Sequence, residues 1–140
     1  MDIALCHDNN YAPYSSVVIA SIMENNPNEE ITFHILHTDL TPGKCEIIKS
    51  WVEVFNGKSV EFYQMKKDTF AEFPIDENTY LDYGAYIRLY LGECLKQLDK
   101  VLYLDCDVIV NGSLCELWNT DISDYAVAGV RDRINDYIRV

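Results

Sequence analysis

The chain has 140 residues, enough for one domain, and its 49% hydrophobic and 12% aromatic content supports a buried core and excludes disordered and collagen-like classes. Eleven basic against 23 acidic residues give a formal charge of −12, which argues against nucleic acid and against an anionic membrane surface, since both require a positive footprint. No apolar run reaches the ~18 residues of a membrane span, and Met1-Asp2 runs straight into a strand-like segment with no basic leader, so a cytoplasmic location is expected.

Asp2 to Cys6 is a short apolar run bounded by polar residues and predicts a first strand. Tyr14 to Met23 is apolar on most faces and stops at Asn25-Asn26-Pro27, which predicts a buried helix. Ile31 to Leu36 predicts a second strand. Thr41-Pro42 supplies an N-cap followed by proline at the first helical position, and Cys45, Ile48, Trp51, Val52 and Phe55 follow at helical spacing up to Asn56-Gly57. Val60 to Tyr63 predicts a third strand. Lys66 to Asp82 is polar, holds Pro74 and few apolar anchors, and is expected to be one long loop, either a lid or a plain surface loop. Tyr83, Ile87, Tyr90, Leu91, Cys94, Leu95 and Leu98 predict one face of a further helix. Lys100 to Leu104 and Tyr125 to Val130 complete the strands.

Strands alternating with helices define an α/β domain with a mostly parallel sheet. Ligands bind such sheets at the carboxyl ends of strands, near a switch in strand order. Two segments qualify: the residues after the first strand and those after Leu104. No internal repeat, low-complexity tract or interdomain linker is visible. The five cysteines, Cys6, Cys45, Cys94, Cys106 and Cys115, form no C-x-x-C pair and are expected to be free thiols.

After Leu104 the apolar strand runs into Asp105-Cys106-Asp107 and then the apolar Val108-Ile109-Val110. Two carboxylates one residue apart at a strand end suit a hard divalent cation, Mg²⁺ or Mn²⁺, held together with substrate phosphates. Such an ion explains how so acidic a chain binds an anionic ligand. The plainer alternative is a pair of turn aspartates. After the first strand, Cys6-His7-Asp8-Asn9-Asn10-Tyr11 offers side chains able to read a base or ribose and a ring able to stack. Its plainer alternative is capping of the next helix by Asp8, Asn9 or Asn10. Arg88 lies off the apolar helical stripe beside the small Gly84, Ala85 and Gly92, with room for a phosphate or carboxylate partner, or is a surface arginine. His34 and His37 are expected in structural positions, and His7 is the better placed of the three histidines for a ligand. There is no Gly-rich phosphate loop.

The opening Asp2-Ile3-Ala4-Leu5-Cys6-His7-Asp8-Asn9-Asn10-Tyr11, the segment Tyr86-Ile87-Arg88-Leu89-Tyr90-Leu91-Gly92-Glu93 and the run Lys100 to Asp107 together resemble glycosyltransferase family 8. The bacterial lipopolysaccharide galactosyl- and glucosyltransferases are the nearer likeness, and glycogenin is a distant one. Leu114-Cys115-Glu116-Leu117-Trp118 also fits the pattern, so the resemblance spans the chain. It implies a GT-A fold with a Rossmann-like nucleotide-binding half, and a retaining, Mn²⁺- or Mg²⁺-dependent transfer of glucose or galactose. The donor is UDP-glucose or UDP-galactose and the acceptor a saccharide, in lipopolysaccharide or another cell-surface glycan.

By position in that family, Cys6 through its backbone, Asp8, Asn10 and Tyr11 hold the uridine. Arg88 faces the donor sugar and the acidic motif, Asp105 and Cys106 also meet the nucleotide, and Asp105 and Asp107 hold the metal. Asp132 matches an acidic residue near sugar and acceptor. The family's catalytic domain is about twice as long, and its third metal ligand, a histidine, comes from a later segment. Residues 1–140 are therefore expected to be the nucleotide-sugar-binding part, with little turnover alone and with any contact to the inner membrane face made by a further segment. A non-catalytic UDP-sugar-binding module is the first alternative. A haloacid-dehalogenase phosphatase, which also opens on D-x-D after a strand, is the second. No pattern in the chain specifies an oligomeric state.

Overall fold

The computed structural model describes residues 1–74 and 83–130. Four strands, β1 (Asp2–His7), β2 (Ile31–His37), β3 (Lys58–Gln64) and β4 (Leu102–Tyr103), make one parallel sheet in the order β3-β2-β1-β4. The chain steps outward from β1 to β3, then returns to place β4 on the other side of β1. The strand order therefore reverses at the β1–β4 pair. The helices are α1 (Ala12–Asn25), α2 (Pro42–Val52), α3 (Tyr83–Ile87), α4 (Leu91–Cys94) and α5 (Cys115–Trp118). Among the described residues no helix is long and apolar enough to cross a membrane.

Side chains of β1 alternate between two cores, as the two-residue period requires. Ile3 and Leu5 pack with Val18, Ile19 and Ile22 of α1 and with Ile48 and Val52 of α2. Ala4 and Cys6 face the other way, onto Leu36, Phe70, Ile87 and Leu95. Both faces are covered, which is why the strands read as near-continuous apolar runs. Register is continuous from Asp2↔Thr32 to His7↔His37, so β1 and β2 end level.

The first five predicted elements are present, with boundaries shifted by a few residues. Thr41 caps α2, its hydroxyl accepting from the Lys44 N–H at 3.4 Å, with Pro42 behind it. The helix ends at Val52, earlier than Asn56-Gly57 suggested. Turns at Phe55 and Lys58 carry the chain on, and Gly57, at φ +72°, makes the left-handed step before β3.

Three expectations need correction. The helix expected from Tyr83 to Leu98 is broken: α3 tightens into a 3₁₀ turn, Arg88–Tyr90, before α4. Helix-weakening Gly84 and Gly92 flank that turn. The Lys66 to Asp82 loop carries a 3₁₀ turn, Lys67–Phe70, anchored by Phe70, which is completely buried; residues 75–82 lie outside the described residues. Tyr125 to Val130 forms no strand: no sheet partner is present among the described residues, and Tyr125, Val127 and Val130 are exposed. An apolar β-prone sequence becomes a strand only where a ladder receives it.

Phe70 meets Tyr83 at 6.0 Å and Tyr90 at 5.4 Å between ring centroids, edge-on, and so ties the Lys67–Phe70 turn to the segment bearing Arg88. Truncating Phe70 to alanine should cost about 3–5 kcal/mol of stability through the cavity left behind. Urea denaturation of the variant would show it as a lowered midpoint with an unchanged slope.

Candidate active site

Where the strand order reverses, the carboxyl ends of β1 and β4 open into a cleft of about 310 Å³. Cys6, His7, Asp8 and Tyr11 line it from the β1 side, Tyr103, Asp105, Cys106 and Asp107 from the β4 side, and Gly84, Ala85 and Arg88 from α3 and the turn after it. Seven of the nine sequence-predicted residues thus converge. Asn10 stands just behind, its amide donating to Asp8 Oδ2 at 3.1 Å. Asp132 lies outside the described residues.

Asp8 organises the loop between β1 and α1. Its Oδ1 accepts from the N–H groups of Asn10 and Tyr11, both at 2.9 Å. The helix-capping alternative does not hold, since α1 begins after Tyr11 with no side-chain cap; Asp8 instead closes the turn ahead of the helix. Asp39 extends the tie by accepting from Asn9 N at 2.8 Å, and Lys44 donates to Asn9 O at 2.8 Å. This bonding presents Tyr11 with its ring half-exposed and set against Tyr14 at 5.5 Å. An amphipathic ring in that position offers a face for stacking.

The acidic motif is held from both sides. Upstream, β4 pairs with Ile3 and Ala4, and Leu104 N donates to Ala4 O at 3.1 Å. Downstream, α1 grips the chain: Ser21 Oγ accepts from Val110 N at 3.0 Å, Asn25 Nδ2 donates to Val110 O at 3.0 Å, and buried Asn26 accepts from Leu114 N at 2.7 Å. Between these anchors Cys106 turns inward, its thiol donating to Cys6 O at 3.4 Å, while Asp105 and Asp107 turn outward.

Arg88 is exposed at the cleft and pairs with a carboxylate of the chain itself. Its Nη1 pairs with Asp105 Oδ1 at 3.3 Å, its Nε donates to Ala85 O at 3.0 Å, and its guanidinium lies over the Tyr103 ring at 5.2 Å. Gly84 and Ala85 leave the opening in front of it. Tyr103 was missed in the sequence, where it reads as one more strand residue. The signal was present all the same, because residues two apart on a strand share a face and Tyr103 precedes Asp105 by two.

Three carboxylates, those of Asp8, Asp105 and Asp107, face one guanidinium across the cleft. That balance repels an anion unless a cation enters with it. Among the described residues Asp107 has no side-chain partner, and no three His, Cys, Asp or Glu side chains group as a complete metal site. The donors available are hard carboxylate oxygens, which fit Mg²⁺ or Mn²⁺ if phosphate oxygens and water fill the remaining positions. The two neighbouring thiols are buried, and that of Cys106 is committed to Cys6 O. Burial pushes the Cys6 thiol far up, with Cys106 adding to it, and burial followed by the Asp105 charge pushes Cys106 up to about 12. All five cysteines are free.

His34 and His37 occupy structural positions, as expected. His34 is buried between Asp2, at 2.9 Å, and the Tyr63 hydroxyl, at 3.1 Å, while His37 Nδ1 accepts from Leu40 N at 3.1 Å. His7 reaches the cleft wall, its Nδ1–H donating to Asp8 O at 2.8 Å, and its buried Nε2 has no partner among the described residues. Burial holds both His7 and His37 below the ordinary histidine range.

The chain matches the family described as glycosyl transferase family 8 over residues 2–139. A Haemophilus influenzae protein is 37% identical over 138 residues, covering 97% of this chain and 40% of its own length. The lipopolysaccharide 1,2-glucosyltransferase of Escherichia coli is 29% identical, covering 89% of this chain and 36% of its own. Among solved structures, the galactosyltransferase LgtC in complex with donor and acceptor sugar analogs superposes with a TM-score of 0.77 at 36% identity, over 86% of this chain and 43% of that one. The chain spans less than half the length of each of these relatives.

The two depressed histidines set a pH dependence. Unfolded, each takes up a proton near pH 6.5; folded, each stays neutral to lower pH. The unfolded state therefore binds more protons as pH falls below about 6.5, and stability drops through that window until the folded-state values are reached. Urea midpoints should fall between pH 7.5 and 5.5, and His7→Asn should lessen the difference. An unchanged slope in the variant would remove His7 from this account.

Proposed function

The chain belongs to glycosyltransferase family 8, and we propose that residues 1–140 form the nucleotide-sugar-binding part of a GT-A transferase. It would move glucose or galactose from a UDP-sugar to a saccharide acceptor, with retention and with Mn²⁺ or Mg²⁺, in the synthesis of lipopolysaccharide or another cell-surface glycan. The observation that carries the proposal is the convergence of Asp8 and Tyr11, Arg88, and Asp105 and Asp107, from three separate segments, on one cleft at the reversal of strand order. Family membership argues against the phosphatase alternative.

In this reading Tyr11 stacks on the uracil, while Asp8, Asn10 and the backbone at Cys6 hold uridine. The diphosphate runs toward Arg88 and the chain at Asp105 and Cys106. Asp105 and Asp107 hold the cation, which when bound supplies Lewis-acid neutralisation of the diphosphate. Arg88 stands where negative charge builds on the departing group, fixed in advance by its contacts with Ala85, Asp105 and Tyr103. Asp132 is assigned to the sugar and acceptor side. The protonated thiols of Cys6 and Cys106 are not nucleophiles in this scheme.

Calorimetric titration of UDP-glucose and UDP-galactose, each with and without Mn²⁺, tests the reading. Binding should depend on the metal and weaken at least about tenfold in Asp105→Asn/Asp107→Asn, the loss of roughly one charge-assisted contact. Equal binding by a folded double variant would sink it. Tyr11→Ala should weaken UDP binding by about 1–3 kcal/mol, the usual worth of an aromatic stacking on a base; an unchanged isotherm would place the base elsewhere.

A further inference from the structure

We propose that Tyr103 is a positioning residue for the cation site, setting which oxygen of Asp105 is offered to the metal. The proposal rests on the metal reading above and adds a residue that touches neither metal nor sugar in it.

The phenol of Tyr103 donates to Asp105 Oδ1 at 2.6 Å. Arg88 Nη1 approaches the same oxygen at 3.3 Å, and the Arg88 guanidinium rests over the Tyr103 ring at 5.2 Å. One side chain therefore contacts both charged partners. Together they take up Oδ1 and fix the rotation of the carboxylate. Oδ2 remains, with both oxygens of Asp107, as the donor set toward the cleft. A carboxylate so held binds a cation through one oxygen, and the diphosphate must complete the shell.

Tyr103 suits this task because its backbone cannot drift. It is paired with Ala4 in the sheet, and the following residue bonds back to Ala4 O. The hydroxyl also stays a donor. Beside an ionised carboxylate, which can only accept, the phenol is the donor of the pair. Being neutral, it orients Asp105 without cancelling the charge that the metal needs. A lysine in its place would neutralise the carboxylate. The ring and the hydroxyl have separable roles: the ring supports Arg88, and the hydroxyl sets Asp105.

Tyr103→Phe separates them, keeping the ring and deleting the hydrogen bond. Mn²⁺ affinity, measured by electron paramagnetic resonance at saturating UDP, should fall about tenfold or more. UDP affinity in EDTA and the melting temperature should stay as in the native chain. In an Asp105→Asn background, adding Tyr103→Phe should have no further effect on Mn²⁺ affinity, because its route runs through Asp105. Mn²⁺-dependent UDP binding that Tyr103→Phe leaves unchanged overturns this proposal alone. So does an equal loss with and without metal, which marks a structural role. Absence of any Mn²⁺ effect in the native chain overturns the metal reading and this proposal with it.

Discussion

The parallel pairing of β1 with β4 is the constraint on which the rest of the molecule depends. A sheet wound outward from β1 through β2 to β3 has one free flank, and β4 fills it from a later part of the chain. The chain after β1 and the chain after β4 both pack on the α1 face, the segment around Ile87 covers the other face, and the cleft lies where the ends of β1 and β4 meet that segment. The ladder is short, only Ile3↔Leu102 and Ala4↔Tyr103. Its stability comes from what covers it: Ile3 and Leu5 under α1, and Ala4 and Cys6 under Ile87 and Leu95, all deeply buried. The cleft is thus a by-product of topology, flanked by a core on either face of the sheet.

Charge within the cleft has the sign of the whole chain. The molecule is strongly acidic, and the cleft repeats that excess locally. The compensations are specific. Arg88 makes contacts at three points, Asp8 commits one oxygen to backbone N–H groups, and Asp105 has one oxygen taken up by Tyr103 and Arg88. What remains uncompensated is concentrated at Asp107 and the second oxygen of Asp105. The buried groups around them are neutral: the thiols hold their protons and His7 stays uncharged, each through desolvation. A cation entering the cleft meets the two exposed carboxylates of Asp105 and Asp107.

The elements legible in the sequence were those whose stability is local or periodic. The strands from Asp2 and Ile31 are unbroken apolar runs, and Thr41-Pro42 announces a helix start by its own chemistry. The acidic motif was legible because two carboxylates closing an apolar strand repel each other, and a cation relieves that repulsion. The misread elements were decided at a distance. Tyr125 to Val130 has strand composition, but composition supplies no partner. The chain is interrupted by a 3₁₀ turn at Arg88, and Phe70, in a largely polar stretch, gained its anchoring role only from rings brought beside it by the fold. Tyr103 was hidden for a related reason. Its aromatic body fits the strand pattern, and only the side-chain direction shows that its hydroxyl end belongs to the site.

The first helix does more than cover the sheet. Its leading end emerges from the loop that carries Asp8 and Tyr11, and near its trailing end Ser21 and Asn25, with Asn26 just beyond, grip the segment following Asp107. Over its 14 residues it works as a ruler with a fixed number of divisions. Adding or removing a single residue would swing everything beyond that point by about 100° around the helix axis, carrying the three gripping side chains off Val110 and Leu114. Substitutions along its outer face are tolerable, but its length is not free to vary. Among homologous chains, insertions in this region should therefore be confined to the loop that follows Pro27 and be absent from the helix itself.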